Sequence, residues 1–266
     1  MSGRGLELHA VRWRRGAFEL RIDAAHAPAG QVTALIGHNG SGKSSLMRLA
    51  AGLDRPDTGS ITVGGTPIDP PARWWRQGRL TLLPQRPDAA APFTVREAVA
   101  IGRVMSPDGP GEVESALEVV GLRDRADQRL ATLSGGQQQR VAFARALHHH
   151  RAGGALLLDE PWSGVDPPEA ARLADAVREV AKAGSTVLVA IHDLSMAAAV
   201  ADQVWCLRDG QMAAAGDADR VLTEESVATA LGTRVRMAAG ADGARVMAID
   251  YPATLGLVRS RRTDNA

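Results

Sequence analysis

Gly37-His38-Asn39-Gly40-Ser41-Gly42-Lys43-Ser44 is the run of residues with the clearest chemistry in this chain. Its glycines let main-chain N–H groups converge on phosphate oxygens, and the helix predicted from Ser44 to Ala51 adds the partial positive charge of its N-terminus. Lys43 supplies a mobile cation and Ser44 a hard oxygen suited to Mg2+. The run follows an apolar, β-rich stretch, Gln31 to Ile36, as phosphate binding by such a loop requires. Much further on, Leu156-Leu157-Leu158 ends in Asp159-Glu160. Two carboxylates at a strand end suit a metal ion and the polarisation of a water molecule. Between these two features lies Ser134-Gly135-Gly136-Gln137. Ser followed three residues later by Gln is a capping box, and a capped helix start with two glycines leaves N–H groups free for an anion.

The elements that must position these residues are legible in outline. Gly52 ends the first helix. Asp57-Thr58-Gly59 and Gly64-Gly65 are turn signals flanking Ile61-Thr62-Val63, which predicts short antiparallel strands, and Leu80 to Leu83 reads as another strand. From Pro84 to Ser134 the character changes. Thr94-Val95-Arg96-Glu97 is a capping box opening a helix to about Ile101, Ser106 to Gly111 is a loop, and Val113 to Val120 is a helix ended by Gly121. This stretch, about residues 86–134, is expected to be a helical insert in an α/β core. Ala155 to Leu158 is a strand apolar on both faces. Asp166-Pro167-Pro168-Glu169 then opens a helix to Gly184 with an N-cap, proline at N1 and an acid at N3. Thr186 to Ile191 is the next strand, and Arg208-Asp209-Gly210-Gln211 is a hairpin turn. One domain over residues 1–250 is expected, with a polar, disordered tail over 251–266.

Composition narrows the function classes. A chain of 266 residues with 45% apolar content can bury a sizeable core. Its formal charge of +1, from 31 Lys+Arg against 30 Asp+Glu, gives no global field for nucleic acid or an anionic membrane. The single cysteine, Cys206, lies in the apolar run Val204-Trp205-Cys206-Leu207 and reads as a buried small hydrophobe in a reducing compartment. No apolar run follows Met1–Gly5 and no stretch is long enough to span a bilayer, so a soluble protein reaching a membrane only through a partner is expected. His148-His149-His150 reads as a helix C-terminus, where partial positive charge is welcome, rather than a metal tract. Trp74-Trp75 between Arg73 and Arg76 is too short a cluster to signal nucleic acid.

The order of phosphate loop, Ser-Gly-Gly element and acidic strand end resembles the ATP-binding cassette (ABC) ATPases, over about residues 6–235. The resemblance implies an α/β P-loop fold of ABC type with an antiparallel β subdomain and a helical insert, binding ATP and Mg2+. It places Gly37, Asn39, Gly40, Ser41, Gly42, Lys43, Ser44 and Ser45 on the phosphates, with Ser44, Gln85 and Asp159 at the metal and Glu160, Gln85 and His192 at the attacking water or γ-phosphate. By the same resemblance Ser134, Gly135, Gly136 and Gln137 meet the ATP held by a second subunit, which implies a head-to-tail dimer with two ATP molecules at its interface. Asp166 matches a loop that crosses that interface, although it equally suits a helix cap. Trp13 falls where the family stacks an aromatic on adenine, although arginines on both sides also suit a solvated strand edge.

Within the family the chain resembles importers of ferric siderophores, haem and cobalamin, through Gly37-His38-Asn39-Gly40-Ser41-Gly42-Lys43, Leu83-Pro84-Gln85, His192-Asp193-Leu194 and Val221-Leu222-Thr223. That implies transmembrane permease subunits, a substrate-binding protein and a place on the cytoplasmic face of the cell membrane. Trp162, Gly164-Val165 before Asp166, the Asp166-Pro167-Pro168 run and a short insert depart from the pattern. Exporter ATPases share the same motifs. A soluble, non-transport ABC protein would show two cassettes or a long coiled coil, and a guanine-nucleotide switch would need no Ser-Gly-Gly element. Phe93, just ahead of the Thr94 cap, suits either a groove for a membrane subunit or a staple onto its own helix.

Overall fold

Strands β3 (Val32–Ile36), β7 (Ala155–Asp159) and β8 (Thr186–Ala190) are buried at every position, as the unbroken apolar run Ala155 to Leu158 predicts for β7. A computed structural model describes residues 5–68, 78–85, 92–101, 111–232, 234–239 and 245–249. Trp74, Trp75, Pro87, most of the 106–111 loop and the tail from 250 lie outside the described residues. With β6 (Leu80–Leu83) and β9 (Gln203–Arg208), the three buried strands run parallel in the order β9-β3-β8-β7-β6. Parallel strands need cover on both faces, and alternate residues supply it: Ala34 and Ile36 enter one apolar cluster, Leu35 the other. Helix α1 (Lys43–Ala50) covers the second face. The first is covered by α2 (Val95–Ala100), α3 (Gly111–Val119), α4 (Gly135–His149), α5 (Pro167–Lys182) and α6 (Leu194–Val200).

Among the described residues this sheet has ten strands and continues into an antiparallel half. Strand β10 (Gln211–Asp217) folds back on β9 through the Asp209-Gly210 turn and meets β2 (Phe18–Ala27) at one register pair, Gln211 with Arg21. Beyond lie β1 (Leu6–Arg15), β4 (Thr58–Val63) and β5 (Thr66–Pro67). Thr58 and Gly59 belong to β4 rather than to the turn expected there. Burial along β1 changes phase at Ala10, which has φ +49°, and pairing with β4 slips between His9 and Arg12. Past that irregularity Val11 and Trp13 face the core, as Leu6 and Leu8 do before it.

Both capping boxes are formed. The Thr94 and Ser134 hydroxyls accept from the N–H groups of Glu97 and Gln137, whose side chains accept from the cap N–H in return. Asp166 occupies the N-cap of α5, but its side chain makes no capping hydrogen bond. After α7 (Ala218–Val221) and α8 (Glu224–Leu231) the chain forms a hairpin of β11 (Val235–Ala239) and β12 (Arg245–Ile249). It is tied to α6 by the Ser195 hydroxyl, which donates to the Met247 carbonyl at 3.0 Å. Sequence periodicity gave no sign of this hairpin. Cys206 is fully buried and its thiol is pushed up to about 12 by burial, so it is inert. Among the described residues no helix is long and apolar enough to cross a membrane.

The histidine tract ends α4, yet it brings less positive charge than the sequence suggested. His149 contacts the Ile101 carbonyl at 2.8 Å, and His150 contacts the Ser185 hydroxyl at 2.8 Å. Burial pushes the His150 pKa from 6.5 down to about 4, so the ring is neutral at physiological pH. The unfolded chain therefore binds the proton first. His150 contributes its full stability above pH 6.5 and loses it as pH falls towards about 4, by up to about 3 kcal/mol. Thermal unfolding across this window should show Tm falling with pH in the wild type, and His150→Gln should flatten that part of the profile.

Candidate nucleotide site

Because β3, β6, β7 and β8 run parallel, their carboxyl ends deliver four candidate elements to one edge of the sheet. There a cavity of about 560 Å3 is lined by Asn39, Gly40, Gly42, Lys43, Ser44, Ser45, Gln85, Glu160, His192 and Phe18. All but Phe18 are residues that the sequence pattern singles out.

Gly42 caps α1 with φ +106°, and a Cβ there would lie 2.7 Å from the Phe18 ring, so only glycine fits. Lys43 is 7% exposed, and its ammonium donates to the carbonyls of Gly37 at 2.7 Å and His38 at 3.2 Å. Burial lowers its pKa, against the opposing pull of Glu160 and Asp159. The β9–β10 turn supports the loop from behind: Gly210 N–H donates to the Ser41 carbonyl at 2.9 Å, and Asp209 Oδ1 lies 3.1 Å from His38 Nε2.

Asp159, at the end of β7 beside Ser44 and Lys43, is 5% exposed. Burial raises its pKa, an effect that Glu160 reinforces and that the Ser44 hydroxyl, Lys43 and His192 oppose. The Ser44 hydroxyl lies beside this carboxylate, whose Oδ1 has no hydrogen-bond partner. An orphaned buried carboxylate oxygen beside the Ser44 hydroxyl, with Ser44 and the Gln85 amide lining one cavity, is a hard-oxygen donor set that fits Mg2+. Glu160, next in the chain, has φ +54°, a left-handed backbone worth ~1–3 kcal/mol of strain in a residue other than glycine. Its N–H donates to the Ala190 carbonyl at 3.1 Å, and its own carbonyl accepts from Ser163 N–H and from the buried Gln139 amide, both at 3.2 Å. The carboxylate meets His192 Nε2.

Several candidates lie elsewhere. Ser134 to Gln137 are not in this cavity; they form the surface start of α4, where Gly136 packs so closely on Gly164 that a Cβ would sit 2.4 Å from its carbonyl oxygen. Asp166 is exposed just beyond Gly164. Trp13 does not fit its expected place. It is 8% exposed within the second apolar cluster, turned inward by the change of burial phase at Ala10, and Phe18 is the aromatic at the cavity. Phe18 was missed because it lies past the arginine-rich end of β1, with no motif around it. Gln139 was missed because its partner, the Glu160 carbonyl, is a main-chain atom.

A phosphate loop on a parallel sheet, two carboxylates at the end of a neighbouring strand and a remote Ser-Gly-Gly helix start define a cassette-type nucleoside triphosphatase. Comparison with known proteins agrees. The pattern of the family described as ABC transporter matches residues 22–163. The chain is 39% identical over 212 residues to the hemin import ATP-binding protein HmuV of Rhodopseudomonas palustris strain BisB18, covering 77% of each chain. It is also 39% identical over 219 residues to the aliphatic sulfonates import ATP-binding protein SsuB 3 of Pseudomonas syringae pv. syringae, covering 79% of this chain and 76% of that one. An ATP-binding subunit of an ABC transporter of known structure superimposes with a TM-score of 0.72 at 26% identity, over 84% of this chain and 93% of that one. A nucleotide-free ATP-binding cassette superimposes with a TM-score of 0.72 at 26% identity, over 86% of this chain and 95% of that one. The chain belongs to the ABC transporter family, as an ATP-hydrolysing subunit.

The two aromatics should separate cleanly on mutation. Phe18→Ala should weaken binding of a fluorescent ATP analogue by roughly 0.5–1.5 kcal/mol with Tm nearly unchanged. Trp13→Ala should instead cost about 3–5 kcal/mol of stability in urea unfolding. Loss of affinity in the second without loss of stability would return the stacking role to Trp13.

Proposed function

We propose that this chain powers an ABC importer for a metal chelate of the haem class, working as a homodimer on the cytoplasmic face of transmembrane permease subunits that receive cargo from a substrate-binding protein. The observation that carries the catalytic part is the convergence of Lys43, Ser44, Glu160, His192 and Gln85 on one cavity, with Asp159 buried beside Ser44. The loop N–H groups and Lys43 hold the phosphates of ATP. Ser44 and Gln85, with Asp159 acting through water, would hold Mg2+, which neutralises charge on the phosphate oxygens. Glu160 orients and polarises the attacking water while His192, against its carboxylate, faces the γ-phosphate. The placement of Ser134 to Gln137 outside their own chain's cavity supports a composite site, in which they, with Asp166 nearby, cap the nucleotide of a second copy.

Haem-class cargo is supported by the relatives named for hemin import. Sulfonate import is the second reading, because a relative named for it is as similar, at 39%. Phe93, 37% exposed where the chain enters α2, is the surface we assign to a permease helix.

Glu160→Gln keeps shape but loses the charge that acts on water. It should bind ATP with near-normal affinity, hydrolyse it at least ~10²-fold more slowly and elute with Mg2+ and ATP as a dimer in size-exclusion chromatography. Near-normal turnover would remove Glu160 from the mechanism. Cargo is read in proteoliposomes with the co-purified membrane subunits and binding protein. Ferric haem should stimulate ATP hydrolysis where an alkanesulfonate does not, and Phe93→Asp should abolish the stimulation while leaving nucleotide binding intact. The opposite cargo response would favour the sulfonate reading.

A further inference from the structure

Glu160 sits in a backbone conformation that its sequence position disfavours twice. It is not glycine, yet φ is +54°, and Pro161 follows it, which pushes a residue towards extended geometry. Left alone, the residue would relax and carry its carboxylate away from the cavity. Three hydrogen bonds oppose this. One comes from the core, Glu160 N–H to the Ala190 carbonyl at the end of β8, and one lies within the turn, Ser163 N–H to the Glu160 carbonyl. The third comes from another element. Gln139, 6% exposed on α4, donates its side-chain amide to the same Glu160 carbonyl at 3.2 Å, filling that oxygen's second lone pair.

We propose that Gln139 is a positioning residue for ATP hydrolysis: its amide holds the Glu160 peptide in the strained form that aims the carboxylate at the cavity, so that turnover depends on where α4 stands. This rests on the reading of Glu160 as the residue that polarises water. Gln139 is little more than one turn beyond Ser134, the cap of the same helix. The helix whose N-terminus is offered to a second nucleotide therefore also holds the water-polarising carboxylate of its own chain. A shift of α4 as the second nucleotide engages is relayed to Glu160 as the making or breaking of one hydrogen bond. Gln139 does not line the nucleotide cavity, so binding and turnover should separate.

The test uses the purified full chain with Mg2+ and ATP, and Glu160→Gln is run alongside. Gln139→Leu keeps apolar packing and removes the donor. It should lower kcat at least ~10-fold with KM for ATP changed by less than about twofold, because a small misplacement of a reacting group is costly while ground-state binding is untouched. Gln139→Glu keeps the shape but turns an acceptor towards the carbonyl. At neutral pH it should be as slow as the leucine variant. As pH falls the introduced acid takes up a proton and regains a donor, its burial raising the pH at which this happens. Its kcat relative to wild type should therefore recover on acidification, while that of Gln139→Leu should not. A general loss of structure would not produce this pH-dependent recovery. Wild-type kcat in either variant, a loss of ATP affinity matching the loss of kcat, or no recovery of Gln139→Glu at low pH overturns the proposal. If Glu160→Gln itself turns over normally, it is the underlying reading of Glu160 that fails.

Discussion

Lys43, Asp159 and Glu160 bring three charges together where the apolar strands β3, β7 and β8 exclude most water. Keeping an ion from water costs several kcal/mol unless partners compensate, and here they compensate only in part. Burial depresses the lysine and raises the aspartate, although each lies in the other's field. One oxygen of Asp159 has no partner, and the lysine falls back on carbonyls of its own loop. Such a cluster is tolerable only on a rigid base, which the fully buried parallel strands supply. A divalent cation would give the orphaned carboxylate oxygen a partner, and a polyphosphate would give the lysine one.

The two faces of the sheet divide the remaining work. One face, with α1 and the antiparallel strands, fixes the phosphate loop and brings Phe18 beside it. The other carries α2 to α6, including the helix that starts at Ser134. The acids at the end of β7 lie where the two meet. Gln139 reaches them from one side and Lys43 acts on them from the other.

Local signals made much of this legible from the residues alone. The phosphate loop, the acidic strand end and both capping boxes are written in contiguous residues, and each appears in the structure as a contiguous element. What was not legible depends on long-range geometry. Trp13 read as an aromatic open to adenine, or at a solvated strand edge, because alternation along β1 cannot be counted through the irregularity at Ala10. The neutral state of His150 follows from its burial near Ser185, on a different element. The β11–β12 hairpin belongs to the first apolar cluster through Val235 and Met247, but its strands are too short and too rich in alanine and arginine to announce themselves. The hold of Gln139 on Glu160 is invisible in any pattern of side chains, since one partner is a carbonyl.

The single register pair between β10 and β2 has a mechanical meaning. Along this seam the two halves of the sheet share few main-chain hydrogen bonds, chiefly the one from Arg21 N–H to the Gly210 carbonyl at 2.7 Å. Otherwise they share an apolar core, whose attraction is non-directional and resists separation far more than sliding. A nucleotide bound with its base over Phe18 on β2 and its phosphates on the loop after β3 would lie across this joint. It would then serve the chain as a removable crossbeam, bracing two plates that the backbone has left only lightly hinged.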